Sequence, residues 1–160
     1  NMTQVFRATG TAGAAEYLQM LGDMPQQYWT AATFDGAGKV SGSEMAETIL
    51  TGTTACQGCV IACGREVTVR DGTYATQGKA KGPEYETICS FGSQLLIDDL
   101  SAITALGDAC DRLGLDTISA GGTIGLATLL FERGILSTDV TGGLEPVSYT
   151  HLTLPTIYSV

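Results

Sequence analysis

The chain has 160 residues, enough for about one domain, with 44% hydrophobic and 16% charged residues and a formal net charge of −9. This composition indicates a globular protein with a large apolar core, and the negative charge argues against a nucleic-acid partner. No run of about 18 apolar residues occurs, so we expect no membrane-spanning helix. Free cysteines and the lack of an export signal favour the cytoplasm.

The first third of the chain predicts two short helices. Apolar residues recur at helical spacing over 12–21, and Gly22 and Pro25 end that helix. Ser43 is the predicted N-cap of a second helix, which carries apolar residues as far as Leu50.

Three cysteines follow with the spacing C-x2-C-x3-C, at Cys56, Cys59 and Cys63. Steps of three and four predict that their thiols share one face of a helical turn. Three soft thiolates in one short segment indicate an iron–sulfur or zinc site, and the absence of a second C-x2-C or H-x3-H nearby favours iron–sulfur. The alternative is that these cysteines are simply buried, as we expect for Cys89 and Cys110.

The pattern then changes from helical to alternating. Apolar and polar residues alternate within 65–80, and Asp71-Gly72 interrupts them, which predicts a β-hairpin closed by an Asp-Gly turn. The segment 84–96 is predicted to be partly helical.

Two longer helices are predicted in the last third of the chain. Asp98-Asp99 caps a helix that Gly114 ends, and Asp116 caps a second helix over 117–133. The predicted fold is therefore mainly α, a helical domain with one small β-hairpin.

Two further motifs are Gly-Pro-Glu-Tyr-Glu-Thr at 82–87 and Asp-x-x-Gly-Leu-Asp-Thr at 111–117. Each also has a purely structural explanation. The glutamates of the first would lie in the first turn of a helix, where the helix dipole favours acidic residues. The second reads as a helix end, a glycine stop and an aspartate cap.

In their order and spacing, the cysteine run and these two motifs resemble the aldehyde:ferredoxin oxidoreductase family of tungsten, sometimes molybdenum, pterin enzymes. The resemblance covers about Gly10 to Glu145. It implies a helical domain beside a metal held by two pterin dithiolenes, with a 4Fe-4S cluster nearby. It also implies oxidation of aldehydes to carboxylic acids, with electrons passed through the cluster to ferredoxin or a similar acceptor.

The resemblance assigns metal and cofactor roles to individual residues. Cys56, Cys59 and Cys63 would ligate the cluster, and the fourth ligand would lie outside this chain. Asp111 and Asp116 would accept hydrogen bonds from the pterin, whose edge is rich in N–H donors.

The remaining motif residues complete the implied site. Gly114, Leu115 and Thr117 belong to the pterin-binding motif, where Gly114 would let the backbone approach the pterin. Glu86 matches a glutamate near the metal and substrate, and it is the candidate catalytic residue for proton handling. Glu84, two residues away, is the alternative.

We expect residues 1–145 to be a fragment of the middle helical domain, inactive alone because other domains of the same polypeptide complete the site. Residues 146–160 resemble the translation of a transposase sequencing adapter, and we expect them to be a non-native tail. The single histidine, His151, falls in this tail and is not expected to act as a base or ligand.

Two other functions remain open on the sequence alone. The chain could be a non-catalytic iron–sulfur module that only carries electrons, but Asp111 and Asp116 would then have no role. It could also be a structural zinc domain, which metal analysis would distinguish. The sequence does not indicate which substrate is used.

Overall fold

Helices dominate the computed structural model, which describes residues 2–146, and this confirms the expected mainly α fold. The α-helices of this part of the chain are α1 (Met2–Thr9), α2 (Ala14–Leu21), α3 (Gly42–Thr48), α4 (Tyr85–Thr87), α5 (Leu100–Leu113) and α6 (Thr117–Glu132). Short 3-10 helices span Thr11–Gly13, Gln26–Trp29 and Ala37–Val40, and a π-helix spans Ile88–Ser93. Most of the predicted tail, with His151, lies outside the described residues.

A three-stranded antiparallel sheet contains the predicted hairpin and adds one strand before it. Its strands are β1 (Leu50–Thr54), β2 (Gly64–Val67) and β3 (Ala80–Lys81), in that order across the sheet. β2 pairs with β1 on one side and with β3, its partner in the predicted hairpin, on the other. The connection between β1 and β2 is the segment that carries the three cysteines.

The returning strand of this hairpin begins later along the chain than the Asp71-Gly72 turn predicted. β2 pairs with β3 across the loop 68–79, which contains Asp71-Gly72 and forms no strand, so the prediction of a tight Asp-Gly turn was wrong. One backbone bond, from Thr76 N to Val69 O at 2.9 Å, closes this loop. The Thr76 hydroxyl also donates to Gly78 O at 2.7 Å, the kind of local bond that competes with a strand ladder.

Most of the predicted helix ends are confirmed. Gly114, with φ +69°, ends α5 in the left-handed conformation that favours glycine. Asp99 caps α5 and Asp116 caps α6 through side-chain hydrogen bonds. The α3 cap is Ser41 rather than Ser43. Its hydroxyl accepts from the backbone N–H three residues later, a capping-box spacing that the Ser43 prediction overlooked.

The core lies around the π-helix, all of whose residues are buried. Its widened turn is visible in the bond from Gln94 N to Cys89 O at 2.9 Å, which spans five residues. The largest fully buried side chains of the described chain include Phe91, Met24, Met45, Ile88, Leu95 and Ile103. The π-helix therefore sets the position of the elements that flank it, including the N-terminus of α6.

No single helix within residues 2–146 is both long and apolar enough to cross a membrane. The pair α5 and α6 meets that criterion only when the two are joined, and they are bent by 113° relative to each other.

Candidate cofactor cleft and cysteine loop

The two motifs at 82–87 and 111–117 face each other across a cleft of about 230 Å³, here called the motif cleft. The predicted site residues that line it are Glu86, Asp111, Leu115, Asp116 and Thr117. Segments separated by more than twenty residues in the sequence thus form one concave surface. This is the arrangement expected if both motifs contact the same ligand.

Polar contacts hold the two sides of the motif cleft together. The hydroxyls of Thr87 and Thr117 are 2.9 Å apart, and Ser90 Oγ donates to Thr117 O at 2.9 Å. A Cβ at Gly121 would lie 2.0 Å from Ser90 Oγ, so only glycine allows this approach of α6 to the π-helix. The N-terminus of α6 is therefore fixed against the π-helix at the edge of the cleft.

The motif cleft is acidic. Four carboxylates line it, those of Glu84, Glu86, Asp111 and Asp116, against one ammonium group, that of Lys81. Carboxylates only accept hydrogen bonds when ionised, so this lining is complementary to a ligand rich in N–H donors.

The structure separates the two glutamates of the first motif. Thr11 Oγ1 donates a hydrogen bond to Glu84 Oε2, and Tyr85 N donates to Thr11 Oγ1 at 3.0 Å. Glu84 is thereby attached to the segment that precedes α2. Glu86 is exposed in the cleft and, among residues 2–146, is not bound to another element by a hydrogen bond. Glu86 is accordingly the glutamate available to a ligand.

Asp116 combines two of the roles that the sequence suggested. Its Oδ2 accepts from Ser119 N at 2.7 Å, and this bond holds the pKa of the carboxyl below its usual value. A carboxylate accepts up to about four hydrogen bonds, so the cap leaves acceptor capacity on the cleft side. Asp111 is also exposed in the cleft.

Gly114 does not line the motif cleft, and within residues 2–146 nothing apart from its own neighbours along the chain lies within 4 Å of where its Cβ would be. Glycine is required there by the positive φ that ends α5. The expectation that Gly114 admits a close approach of the backbone to a ligand stays a prediction.

The three cysteines lie in a surface loop, residues 55–63, here called the cysteine loop. Cys56 and Cys59 are exposed, Cys63 is half-buried, and all three thiols are free. A turn places Cys59 N 2.9 Å from Cys56 O. Gly58 and Ala62 have φ of +74° and +56°, values that exclude a continuous right-handed helix. The predicted helical turn was therefore wrong, because the segment joins two paired strands.

The donor set of the cysteine loop fits a thiolate-bound metal group in its chemistry. The loop supplies three free soft ligands from one exposed segment. Within residues 2–146 no three Cys, His, Asp or Glu side chains are grouped closely enough to hold a metal ion. Among residues 2–146 the three thiols are therefore not arranged around a single metal ion, an arrangement that a cluster with one thiolate on each iron does not require.

The other two cysteines are buried, as predicted. Cys89 is 2% exposed, and burial raises the pKa of its thiol to about 11, so the thiol is protonated at neutral pH. Burial also raises the pKa of Cys110. Neither is suited to supply a thiolate ligand.

Sequence reasoning assigned no role in the site to two residues that line the motif cleft. Lys81 directly precedes the first motif and places the only ammonium group among the lining residues of the cleft, and Gly107 lies one helical turn before Asp111. The spacing of four between Gly107 and Asp111 was a usable signal, because residues at that spacing share a helix face.

The family described as "Aldehyde ferredoxin oxidoreductase, domains 2 & 3" matches residues 1–151. The tungsten-containing aldehyde ferredoxin oxidoreductase of Thermococcus kodakarensis is 36% identical over 137 residues, covering 86% of this chain and 22% of that protein. The protein of the same name from Pyrococcus furiosus is 35% identical over 137 residues, with the same coverage. The WOR-like subunit of an aliphatic sulfonate oxidoreductase from Pyrococcus furiosus is 35% identical over 86 residues, covering 53% of this chain and 14% of that protein.

The chain belongs to the aldehyde ferredoxin oxidoreductase family of tungsten-containing oxidoreductases. This confirms the resemblance that the three motifs indicated. The chain spans about a fifth of the length of the curated relatives it matches over most of its sequence, 22% for each of the first two.

Proposed function

We propose that this chain is part of a tungsten, or molybdenum, pterin oxidoreductase that oxidises aldehydes to carboxylic acids. Electrons would leave through a 4Fe-4S cluster at the cysteine loop and pass to ferredoxin or a similar acceptor. The names of the tungsten-containing relatives support the metal, the aldehyde and the acceptor. We also propose a cytoplasmic location.

The observation that carries this proposal is the motif cleft. Two separate motifs meet there, and their carboxylates form a surface complementary to the N–H donors of a pterin edge. A protein that only carries electrons has no use for such a cleft, which is the argument against the non-catalytic iron–sulfur alternative.

The cysteine loop is connected to the motif cleft through β2. The backbone oxygen of Arg65, two residues after Cys63, accepts a hydrogen bond from Gly82 N at a distance of 2.9 Å. Gly82 begins the first cleft motif. The two proposed cofactor positions are therefore joined by a short covalent and hydrogen-bonded route.

The proposed roles follow from the exposure of each side chain. Asp111 and Asp116 would orient the pterin by accepting hydrogen bonds, and Thr117 would fix the cleft wall through its contact with Thr87. Cys56, Cys59 and Cys63 would hold the cluster. The bound metal group would supply the two-electron oxidation of the substrate, and the carboxylate of Glu86 would hold or remove a proton near the substrate.

An activity assay on the intact protein tests this function. Aldehydes are supplied with an artificial electron acceptor, and acceptor reduction and carboxylic acid formation are both measured. Glu86→Gln is expected to lower kcat by about 10²–10⁴-fold while tungsten and iron stay bound, the usual range for lost general acid–base catalysis. Glu84→Gln is the matched control, expected to weaken the contact with Thr11 and to affect stability more than kcat.

The assay also separates the alternatives. If the wild-type protein turned over aliphatic sulfonates but not aldehydes, the proposed activity would instead be aliphatic sulfonate oxidation, as in the name of the sulfonate oxidoreductase relative. A collapse of kcat in Glu84→Gln with normal kcat in Glu86→Gln would reverse the two glutamate roles. A protein that binds iron and sulfide but neither tungsten, molybdenum nor pterin would support the electron-carrier alternative.

A further inference from the structure

Two arginines hold the cysteine loop against α1. Arg7, near the end of α1, donates from Nη2 to Val60 O at 2.7 Å. Arg65, at β2, reaches in the opposite direction and donates from Nη1 to Arg7 O at 2.7 Å and to Ala8 O at 2.9 Å. We call this pair of side chains the arginine clasp.

Arg65 is the buried member of the clasp. It is only 3% exposed, and four hydrogen bonds from its guanidinium satisfy backbone oxygens rather than a carboxylate. Two of these oxygens belong to the last turn of α1, where the helix dipole favours a cation. A planar guanidinium can donate hydrogen bonds in several fixed directions at once, which a lysine ammonium cannot do with the same geometry.

The fourth contact of Arg65 is with a residue in a costly backbone conformation. Nη2 donates to the oxygen of Ala62, whose φ is +56°. A non-glycine residue in the left-handed region is strained and persists only where its surroundings enforce it. Ala62 directly precedes Cys63, so its conformation affects the direction in which the Cys63 side chain extends from the cysteine loop.

Two glycines allow this packing. A Cβ at Gly82 would lie 2.6 Å from Arg65 Cβ, and a Cβ at Gly10 would lie 2.9 Å from Cys63 O and 3.3 Å from Arg65 Cγ. Arg65 is thus enclosed between the start of the first cleft motif and the chain that follows α1. Its side chain has little freedom to move away from the cysteine loop.

We propose that Arg65 is a positioning residue for the cluster, which holds Ala62 in its left-handed conformation so that Cys63 faces Cys56 and Cys59 when the cluster forms. This inference rests on the proposed cluster. It assigns to Arg65 a role distinct from metal ligation.

The test compares variants of the intact protein after anaerobic reconstitution with iron and sulfide. Arg65→Lys is expected to lower the apparent affinity for iron at least about tenfold, since a hydrogen bond from a charged group is lost at a buried site. Arg65→Met is expected in addition to lower the midpoint potential of the bound cluster, because a nearby cation that favours the reduced form is removed. Arg70→Met removes an exposed arginine on the same segment and controls for net charge.

A rescue variant distinguishes positioning from a general loss of stability. Ala62→Gly adopts the left-handed conformation without strain, so in the Arg65→Lys background it should restore iron affinity to near the wild-type value. Leu95→Ala, a core truncation outside the loop, should lower the melting temperature without moving the potential.

Each outcome has a defined consequence. Normal iron affinity and potential in both Arg65 variants would overturn the inference, as would an Arg65→Lys defect that Ala62→Gly leaves unchanged. A wild-type protein that takes up zinc but no iron and sulfide would overturn the proposed cluster itself, which is a separate failure.

Discussion

At the scale of single residues, Asp116 illustrates why a motif can have two explanations that are both correct. Its carboxylate caps α6 through Ser119 N, and it also lines the motif cleft opposite Glu86. The sequence alone presented capping and ligand binding as competing interpretations. The geometry allows both, because the cap engages Oδ2 and a carboxylate accepts several hydrogen bonds.

Asp116→Asn separates the two roles. Asparagine is about as good an N-cap as aspartate, so thermal stability at neutral pH should change little, whereas pterin retention by the intact protein should fall. Asp99→Ala is the matched control, since it removes a cap from α5 outside the cleft and should lower stability by about 1 kcal/mol with full cofactor content. Full pterin retention in Asp116→Asn would leave capping as the only role of this side chain.

The lowered pKa of Asp116 predicts a pH dependence with a definite sign. Because the folded state favours the charged carboxylate, its stabilising contribution is present above the ordinary aspartate pKa and is lost as the pH falls through the lower folded value. As the pH is lowered, the stability of Asp116→Asn, followed by circular dichroism, should therefore fall less steeply than that of the wild type. An identical acid profile in wild type and variant would contradict this linkage.

The cysteines provide a further test at the residue scale. Cys56→Ser, Cys59→Ser and Cys63→Ser should each abolish most of the visible absorbance of the reconstituted cluster, because serine is a harder and poorer ligand for iron. Cys89→Ser and Cys110→Ser are controls at buried positions and should retain it. Loss of absorbance in Cys89→Ser with none in Cys59→Ser would overturn the ligand assignment.

At the scale of elements, the approach of α6 to the π-helix decides the shape of the motif cleft. Gly121 and Gly122 are neighbours on α6 with opposite surroundings. A Cβ at Gly121 would meet Ser90 Oγ at 2.0 Å and Ser90 O at 2.7 Å, whereas a Cβ at Gly122 meets nothing within 4 Å. The two glycines form a natural matched pair.

Gly121→Ala should destabilise the protein by about 1–3 kcal/mol, the range for overpacking a close contact. Gly122→Ala should instead stabilise it by about 0.5–1 kcal/mol, because alanine has the better helix propensity. Denaturant unfolding of both variants measures the difference. Equal effects of the same sign would show that α6 does not pack on the π-helix as described.

Elements with strong local signals were predictable from the sequence. The glycine stop at Gly114 and the caps at Asp99 and Asp116 depend on bonds within a few residues, and all three are confirmed. The β1–β2 pairing depends on contacts across the cysteine loop, which no local pattern encodes. The Asp71-Gly72 signal predicted the hairpin of β2 and β3 but not the length of its loop, which spans 68–79.

The candidate site was predictable in its residues more than in its geometry. The motif at 111–117 and the first motif predicted five site residues that line the motif cleft: Glu86, Asp111, Leu115, Asp116 and Thr117. The loop conformation around Cys63 was missed, because it depends on Arg65 and on the end of α1, far away in the sequence.

At the scale of the whole molecule, the surface of α6 is unusual for a free-standing domain. The helix is apolar on nearly all sides, yet Ile118 and Leu126 are 48% and 56% exposed. Leu113 and Leu115, just before it, are 71% and 54% exposed. A helix that is hydrophobic all round is normally buried, which is consistent with a chain that spans 22% of its relatives' length.

The isolated chain is accordingly expected to self-associate and to show no aldehyde oxidation. Replacing Leu113 and Leu126 together by glutamine should reduce self-association in light scattering and sedimentation without lowering the melting temperature, because both side chains are already exposed. Leu106→Gln, at a 5% exposed position, is the control and should destabilise the fold. Unchanged self-association in the double variant would assign it to another surface.

Metal and cofactor analysis of the intact protein, purified without oxygen, tests the central claim most directly. The claim is that the cysteine loop holds an iron–sulfur cluster beside a pterin-binding motif cleft. It predicts about four iron and four acid-labile sulfide per chain, as in a 4Fe-4S cluster, together with tungsten or molybdenum and pterin. Stoichiometric zinc at the cysteines, with neither sulfide nor pterin, would contradict it.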